Sequence, residues 1–212
     1  MIPPACLPML TEPQLAALAK VACGAETGGG ITLLVGPPGV GKTILLTRLA
    51  AELSGAASVQ PTSAWLAVPP ADLPPTMLVD DAHLASESDL TSLFLHARSR
   101  RPEAALVLAG QGRLLTLVAR DTRLEQAIRI RATLLPGGLA DTQQLIESEL
   151  VSLGNKAVEA VTTTIHDITG GVPAAILRLM ELATVVATAR PDSPLGEADI
   201  EAIHRRLSPL AA

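Results

Sequence analysis

The sequence predicts an α/β fold: a parallel sheet between layers of helix, an αβα core, followed by a small all-helical domain. Three observations carry this. Short apolar, β-branched runs alternate with helical patterns over residues 13–136, the rhythm of strand–helix–strand units with parallel strands. Four helical patterns then follow one another over residues 139–207 with no strand between them. At the first strand-to-helix junction stands GPPGVGKT, Gly36 to Thr43, a glycine-rich turn of the kind that wraps backbone N–H groups around an anion.

Composition narrows the class. A chain of 212 residues holds one large domain, or one with a small appendage. Hydrophobic residues make up 48% and charged residues 17%, enough apolar material for a sizeable core and too little charge for disorder. Aromatic content is 1%, Trp65 and Phe94 alone. The core is therefore built from Leu, Ile, Val and Ala, and few platforms exist for stacking single-stranded bases. The net charge of -5 gives no overall pull toward nucleic acid or anionic membranes. Cys6 and Cys23 are too few and too isolated for a metal site or a disulfide framework. The start MIPPACLPML lacks the basic region and long apolar core of a signal peptide, and no apolar run approaches the ~20 residues of a membrane span. The expectation is a cytoplasmic protein with reduced thiols.

Each element has its own justification. Residues 1–12 are proline-rich and, with 208–212, are expected to be loosely ordered termini. Over 13–23, Leu15, Leu18, Ala19 and Ala22 recur at helical spacing after Pro13, which suits a first turn. ETGGG (26–30) breaks that helix before ITLLVG, a run that reads as a fully buried strand. The helix opening at Lys42 is expected to run to about Leu53 and cap at Ser54-Gly55. SAWLAV (63–68) reads as a strand, and TMLVDDAH (76–83) as a second buried strand ending in two carboxylates. Residues 88–98 read as a helix with Leu90, Leu93, Phe94 and Ala97 on one face. AALVLAG (104–110) is a third apolar strand, followed by a short helix over 113–119 and a strand over 128–134. Beyond LPGG (135–138), helices are expected over 141–153, 155–168, 173–188 and 196–207.

Gly36-Pro37-Pro38-Gly39-Val40-Gly41-Lys42-Thr43 matches G-x-x-x-x-G-K-[ST] at every fixed position, with a strand before it and a helix after it. Glycines let the backbone curl until its N–H groups converge on phosphate oxygens. Lys42, expected to stand exposed within the cradle, would meet the β- and γ-phosphates of ATP, and the Thr43 hydroxyl would ligate Mg²⁺. Ile44 completes the nucleotide-contacting run. The fold class is thereby a parallel αβα P-loop NTPase core, residues 13–136, followed by a small all-helical lid domain, residues 139–207.

Asp80 and Asp81 end the second buried strand. Strand neighbours point to opposite faces, so the two carboxylates are expected to have different jobs. Asp80 fits the role of holding Mg²⁺, and Asp81 that of orienting or activating the attacking water. The alternative is that both cap the helix near residue 88. His83, in the same turn, reads as a solvated or packing residue.

Together GPPGVGKT, MLVDDAHL, LVLAGQGRL and ITGGVPAAILRLMELA resemble the AAA+ ATPases, and within them the ORC/DEAH-type group that includes ExeA-like secretion ATPases and TniB-like transposition ATPases. The resemblance spans roughly residues 13–190. It implies that Gln111, in AGQ, senses the γ-phosphate, although a helix-start role is equally open. It also implies that the helical domain acts as a lid over the nucleotide. Three departures stand out. The acidic pair is Asp80-Asp81 where Asp-Glu is usual. Gln126-Ala127-Ile128 stands where relatives read Q-R-I with a candidate arginine finger. Pro173-Ala174 stands where relatives carry Pro-Arg. Arg178, one turn beyond Ala174, and Arg123, Arg129 and Arg131, flanking position 127, are the available replacements, each with a surface role as its alternative. An arginine finger is worth ~10³–10⁵ in rate, so the resemblance implies an ATPase that turns over slowly.

Three functions compete. The first is an ATPase working with ATP and Mg²⁺ as a homo-oligomer, or a hetero-oligomer with another ATPase subunit, on a protein client. The second is a non-hydrolysing switch in which ATP creates a partner-binding face. The third is a DNA-targeting ATPase. Arg98, Arg100 and Arg101 form the densest basic cluster, but they end a helix, where they offset its dipole, so DNA ranks last.

Overall fold

The computed structural model describes residues 10–53, 58–69, 72–152, 158–190 and 195–207. The chain divides into two compact units, Met1–Leu135 and Pro136–Ala212.

In the first unit, β1 (Ile31–Val35), β2 (Val59–Pro61), β3 (Thr76–Asp80), β4 (Ala105–Gly110) and β5 (Ile128–Thr133) form one sheet in the order β2-β3-β4-β1-β5. Every neighbouring pair is parallel. Helices cover both faces, so the central strands are apolar on both sides. The period-2 alternation sorts their side chains into two cores. Ile31, Leu33, Met77, Val79, Leu106 and Leu108 face one core with Trp65, Leu90 and Leu93. Leu34, Leu78, Val107 and Ala109 face the other with Ala17, Val21, Leu45 and Leu49. That second core holds α1 (Glu12–Thr27) and α2 (Lys42–Glu52) against the sheet.

Several expectations change in detail. SAWLAV is not a strand. The strand is Val59–Pro61, and Thr62–Leu66 form a short helix, α3. One helical turn puts Thr62 and Trp65 on the same buried side, and the Trp65 indole N–H donates to the Leu78 carbonyl at 3.0 Å. Six residues of mixed polarity fit a single turn as well as a strand. Pro61 sits on the edge strand, where a missing N–H costs no ladder bond. The strand expected over 76–83 stops at Asp80. Asp81 takes a left-handed conformation (φ 49°, ψ 31°) and a 3-10 turn, Ala82–Leu84, follows. The α2 helix ends at Glu52, with Leu53 extended; Ser54-Gly55 lies outside the described residues. Next, α4 (Glu87–Arg100) is capped by Ser86, whose hydroxyl accepts from the Asp89 N–H. Asp80 and Asp81 therefore do not cap it. The expected helix over 113–119 is α5 (Arg113–Arg120), and an unforeseen one, α6 (Thr122–Ala127), follows it. Asp121 separates them and caps α6 by accepting from the Arg123 N–H.

The second unit is helical throughout its described residues: α7 (Leu139–Ser152), α8 (Val158–Thr169), α9 (Pro173–Ala189) and α10 (Glu197–Leu207). Ile176, Leu179, Met180 and Ala183 form an i, i+3, i+4, i+7 stripe on α9. They pack with Ile146 and Leu150, Val161 and Ile165, and Ile200 and Ile203. Among the described residues, no helix is long and apolar enough to cross a membrane.

Candidate nucleotide-binding site

The strand order places the C-terminal ends of β1, β4 and β3 side by side, the edge of an open parallel sheet at which ligands bind. Val35 pairs with Gly110, and the Gly36 N–H donates to the Gly110 carbonyl at 3.2 Å. The GPPGVGKT turn thus leaves the sheet beside the residue that precedes Gln111. Leu108 pairs with Val79, one residue before Asp80. Three segments distant in sequence converge on one edge.

Two glycines of the turn are sterically required. A Cβ on Gly36 would lie 2.4 Å from the Leu134 carbonyl oxygen, and Gly41 has φ +101° with Gln14 Nε2 2.4 Å from where a Cβ would stand. Pro37, Pro38 and Gly39 face solvent, Val40 is anchored in the core, and Ile44 is half-buried on α2. Lys42 does not stand exposed. It is 8% exposed, and its ammonium donates to the Gly36 and Pro37 carbonyls at 2.9 and 2.8 Å. Those bonds take two of its three protons and hold the charge in the mouth of the turn. Burial lowers the Lys42 pKa, and the charges of Asp80 and Asp81 partly offset this.

The Thr43 hydroxyl donates to Asp80 Oδ2 at 2.6 Å. Asp80 Oδ1 accepts from the Asp81 N–H at 2.9 Å, so Asp80 is oriented from both sides. A hydroxyl oxygen and a carboxylate oxygen in contact are hard donors of the type Mg²⁺ takes. Among the described residues no three His, Cys, Asp or Glu gather as a metal cage. An ion here would be completed by substrate oxygens and water, as Mg²⁺ sites commonly are. The Asp81 side chain is 60% exposed, and its left-handed backbone, not strand alternation, separates it from Asp80. Gln111 is half-buried between β4 and α5.

Other candidates separate. Arg123 is held by Asp121 through two side-chain bonds, at 3.1 and 2.9 Å. The guanidinium forms an ion pair within its own unit, with its side chain 61% exposed. Its bonds to Asp121, then the Thr91 hydroxyl and the Arg123 backbone N–H, lower the Asp121 pKa strongly. Arg129 and Arg131 are exposed on β5. In the second unit, Ala174 and Arg178 are both exposed, one turn apart on α9. Arg98 stacks on Phe94, 5.5 Å from the ring centre.

Sequence reasoning passed over Gln14. It is 4% exposed; its Nε2 donates to the Val40 carbonyl at 2.8 Å and its Oε1 accepts from the Thr11 N–H at 3.0 Å. A side chain of α1 thus braces the middle of the phosphate turn. Thr11-x-x-Gln14 has the capping-box spacing, which would have located the helix start but not the contact with the turn.

These features define a P-loop nucleotide-binding αβα fold. Residues 32–194 match the model of the AAA family, the ATPase family associated with various cellular activities, and the chain belongs to that family. Similar solved structures include the Thermotoga maritima RuvB Holliday junction branch migration motor, 17% identical, covering 92% of this chain and 69% of that one (TM-score 0.69). The FIGL-1 AAA domain in complex with ADP is 20% identical, covering 100% of this chain and 86% of that one (TM-score 0.63). A DNA replication initiation factor is 15% identical, covering 94% and 65% (TM-score 0.64). At these identities the likeness is one of fold. No curated protein sequence matches the chain. The chain is a nucleotide-binding protein of an ATPase family.

Proposed function

We propose that the chain binds ATP with Mg²⁺ and hydrolyses it, using the resulting change of nucleotide state to govern contact with a protein partner. The observation that carries this reading is the contact of the Thr43 hydroxyl with Asp80 at 2.6 Å, beside a Lys42 whose charge is influenced by Asp80. This contact supports a site for a metal and a phosphate. In this reading the N–H groups of Gly39 to Ile44 cradle the phosphates, Lys42 neutralises the β- and γ-phosphates, and Thr43 and Asp80 hold the ion. Bound Mg²⁺ would draw charge from the phosphate oxygens. Asp81 orients the attacking water, and Gln111, at the neighbouring strand end, reports the γ-phosphate. On the helical unit, Arg178 stands in for the arginine missing at position 174.

With Arg123 committed to Asp121, we assign the transition-state arginine to a neighbouring subunit, so the working form is a homo-oligomer or a hetero-oligomer with another ATPase subunit. The exposed free thiol of Cys23 suits the reducing cytoplasm. DNA binding is not favoured, given the net charge of -5 and the engagement of Arg98 with Phe94.

The test is a coupled ATPase assay on purified protein with Lys42→Ala as blank. Multiple turnovers by the wild type, lost in the variant, are expected. ATP binding without turnover would replace hydrolysis with the switch reading. Unchanged ATP affinity in Lys42→Ala would reject the site.

A further inference from the structure

His83 stands two residues beyond Asp81. It lies in the 3-10 turn Ala82–Leu84 and is 7% exposed. Its main chain is fixed on two sides. The His83 carbonyl accepts from the Arg113 guanidinium of α5, and a Cβ on Gly110, at the end of β4, would stand 3.1 Å from His83 Cβ and N. The ring is carried on a backbone with little room to shift. Its buried Nδ1 has no hydrogen-bond partner, yet lies 3.9 Å from Asp81 Oδ1. A buried polar atom left unpaired carries an uncompensated desolvation cost, and such atoms call for a specific explanation. The gap exceeds an N–H···O bond of ~2.9 Å by about 1 Å, and bonds to catalytic groups are often long before the reacting complex forms. Asp81 is the one non-glycine residue at positive φ among those described. Its side chain is 60% exposed, so little else restrains the carboxylate.

We propose that His83 is a positioning residue for Asp81. The ring, with a proton on Nδ1, donates to Asp81 Oδ1 and fixes the plane of the carboxylate, leaving the second oxygen to orient water. This rests on the reading of Asp81 as the water-orienting group and adds the residue that aims it. The need for such a brace follows from side-chain length. An aspartate, one methylene shorter than glutamate, reaches less far, and a carboxylate wandering on an exposed turn would hold water for only part of the time.

The test uses isosteric substitutions in the whole chain. Asparagine carries an amide N–H close to where Nδ1 stands, and leucine has the same shape with no donor. Single-turnover ATP hydrolysis is measured beside titration with a fluorescent ATP analogue. His83→Leu is expected to slow turnover about tenfold, equivalent to about 1.4 kcal/mol of barrier, with nucleotide affinity within about twofold of wild type. His83→Asn is expected to stay within about threefold of the wild-type rate. Equal rates in the two variants would overturn the proposal, because shape and burial alone would then account for the residue. Should His83→Leu lose its cooperative melt, His83→Gln takes its place. Its amide sits one bond too far out, so it is expected to be slow, and a rate equal to that of His83→Asn would again overturn the proposal. Asp81→Asn in the same assay separates the two readings. A wild-type rate there, or no turnover in the wild type itself, rejects the role of Asp81 and the His83 proposal with it. An inactive Asp81→Asn alongside equal Leu and Asn variants rejects the His83 role alone.

Discussion

Replacing Gln14 by leucine removes the brace between α1 and the phosphate turn while keeping a side chain of similar bulk. Two hydrogen bonds are lost, from Nε2 to the Val40 carbonyl at 2.8 Å and from the Thr11 N–H to Oε1 at 3.0 Å. Each is worth ~0.5–1.5 kcal/mol net. With Gln14 and Val40 only 4% and 1% exposed, water cannot replace the donor to Val40, so the total is expected near the middle of the range, about 2 kcal/mol. For a chain of this size that lowers the melting temperature by about 4–8 °C, at ~2–4 °C per kcal/mol. Because Val40 lies in the middle of the cradle, the loop must be re-ordered when nucleotide binds. ATP affinity is therefore expected to fall about fivefold, ~1 kcal/mol. Gln14→Glu keeps the acceptor for Thr11 but sets a negative charge against the Val40 carbonyl and near bound phosphates, so it should bind ATP more weakly than Gln14→Leu. Differential scanning fluorimetry with and without ATP, beside a fluorescent-nucleotide titration, measures both effects. A melting temperature within about 1 °C of wild type, together with unchanged ATP affinity in Gln14→Leu, would refute the reasoning.

Further predictions address the carboxylates and the helical unit. Asp80→Asn should weaken the Mg²⁺-dependent part of ATP binding, whereas Asp81→Asn should keep binding and lose hydrolysis; the reverse pattern, read by titration with and without Mg²⁺, would exchange the two roles. Asp81→Glu should raise turnover if the shorter carboxylate limits the rate, and a slower variant would show that the turn is built around aspartate. Arg178→Ala should weaken ATP binding about tenfold or more, as loss of a charge-assisted bond of ~1.5–3 kcal/mol implies, and ADP binding much less. Equal effects on both nucleotides would remove Arg178 from the γ-phosphate. Asp121 contributes to stability in a pH-dependent way. Its folded pKa lies below the free value of 3.8, so its contribution is complete above about pH 4 and is lost as pH falls from there toward the folded value. Asp121→Asn should therefore melt below wild type at pH 7, with the gap closing under about pH 4; a gap independent of pH would mean the charge is irrelevant.

What could be read from the chain alone was local. The cradle lies within eight consecutive residues, and its glycine spacing, Lys42 and Thr43 act through backbone geometry fixed by near neighbours. The strands ITLLV and ALVLAG were legible because burial on both faces demands unbroken apolar runs. The four C-terminal helices were legible because stripes such as Ile176, Leu179, Met180 and Ala183 repeat at the helical period. Where local signals competed, the tertiary structure decided. SAWL became a helical turn because Trp65 gains a buried seat and a bond to Leu78 that lies outside any six-residue window. Asp81 left the strand because the chain must turn there beneath Gly110 and Arg113, so its separation from Asp80 comes from a left-handed backbone. Arg123, a candidate replacement for the missing arginine with a surface role as its alternative, pairs with Asp121, which caps α6. Gln14 carries only a capping-box spacing in the sequence, and His83 no distinguishing pattern. Their partners, Val40 and Arg113, stand 26 and 30 residues away, and only the folding of α1 and α5 against the sheet brings them together. The sequence alone determined the glycine-rich strand-to-helix turn, because its geometry is built into contiguous backbone. The tertiary structure alone decided that Gln14 holds the Val40 carbonyl, because that contact joins two segments that the chain order keeps apart.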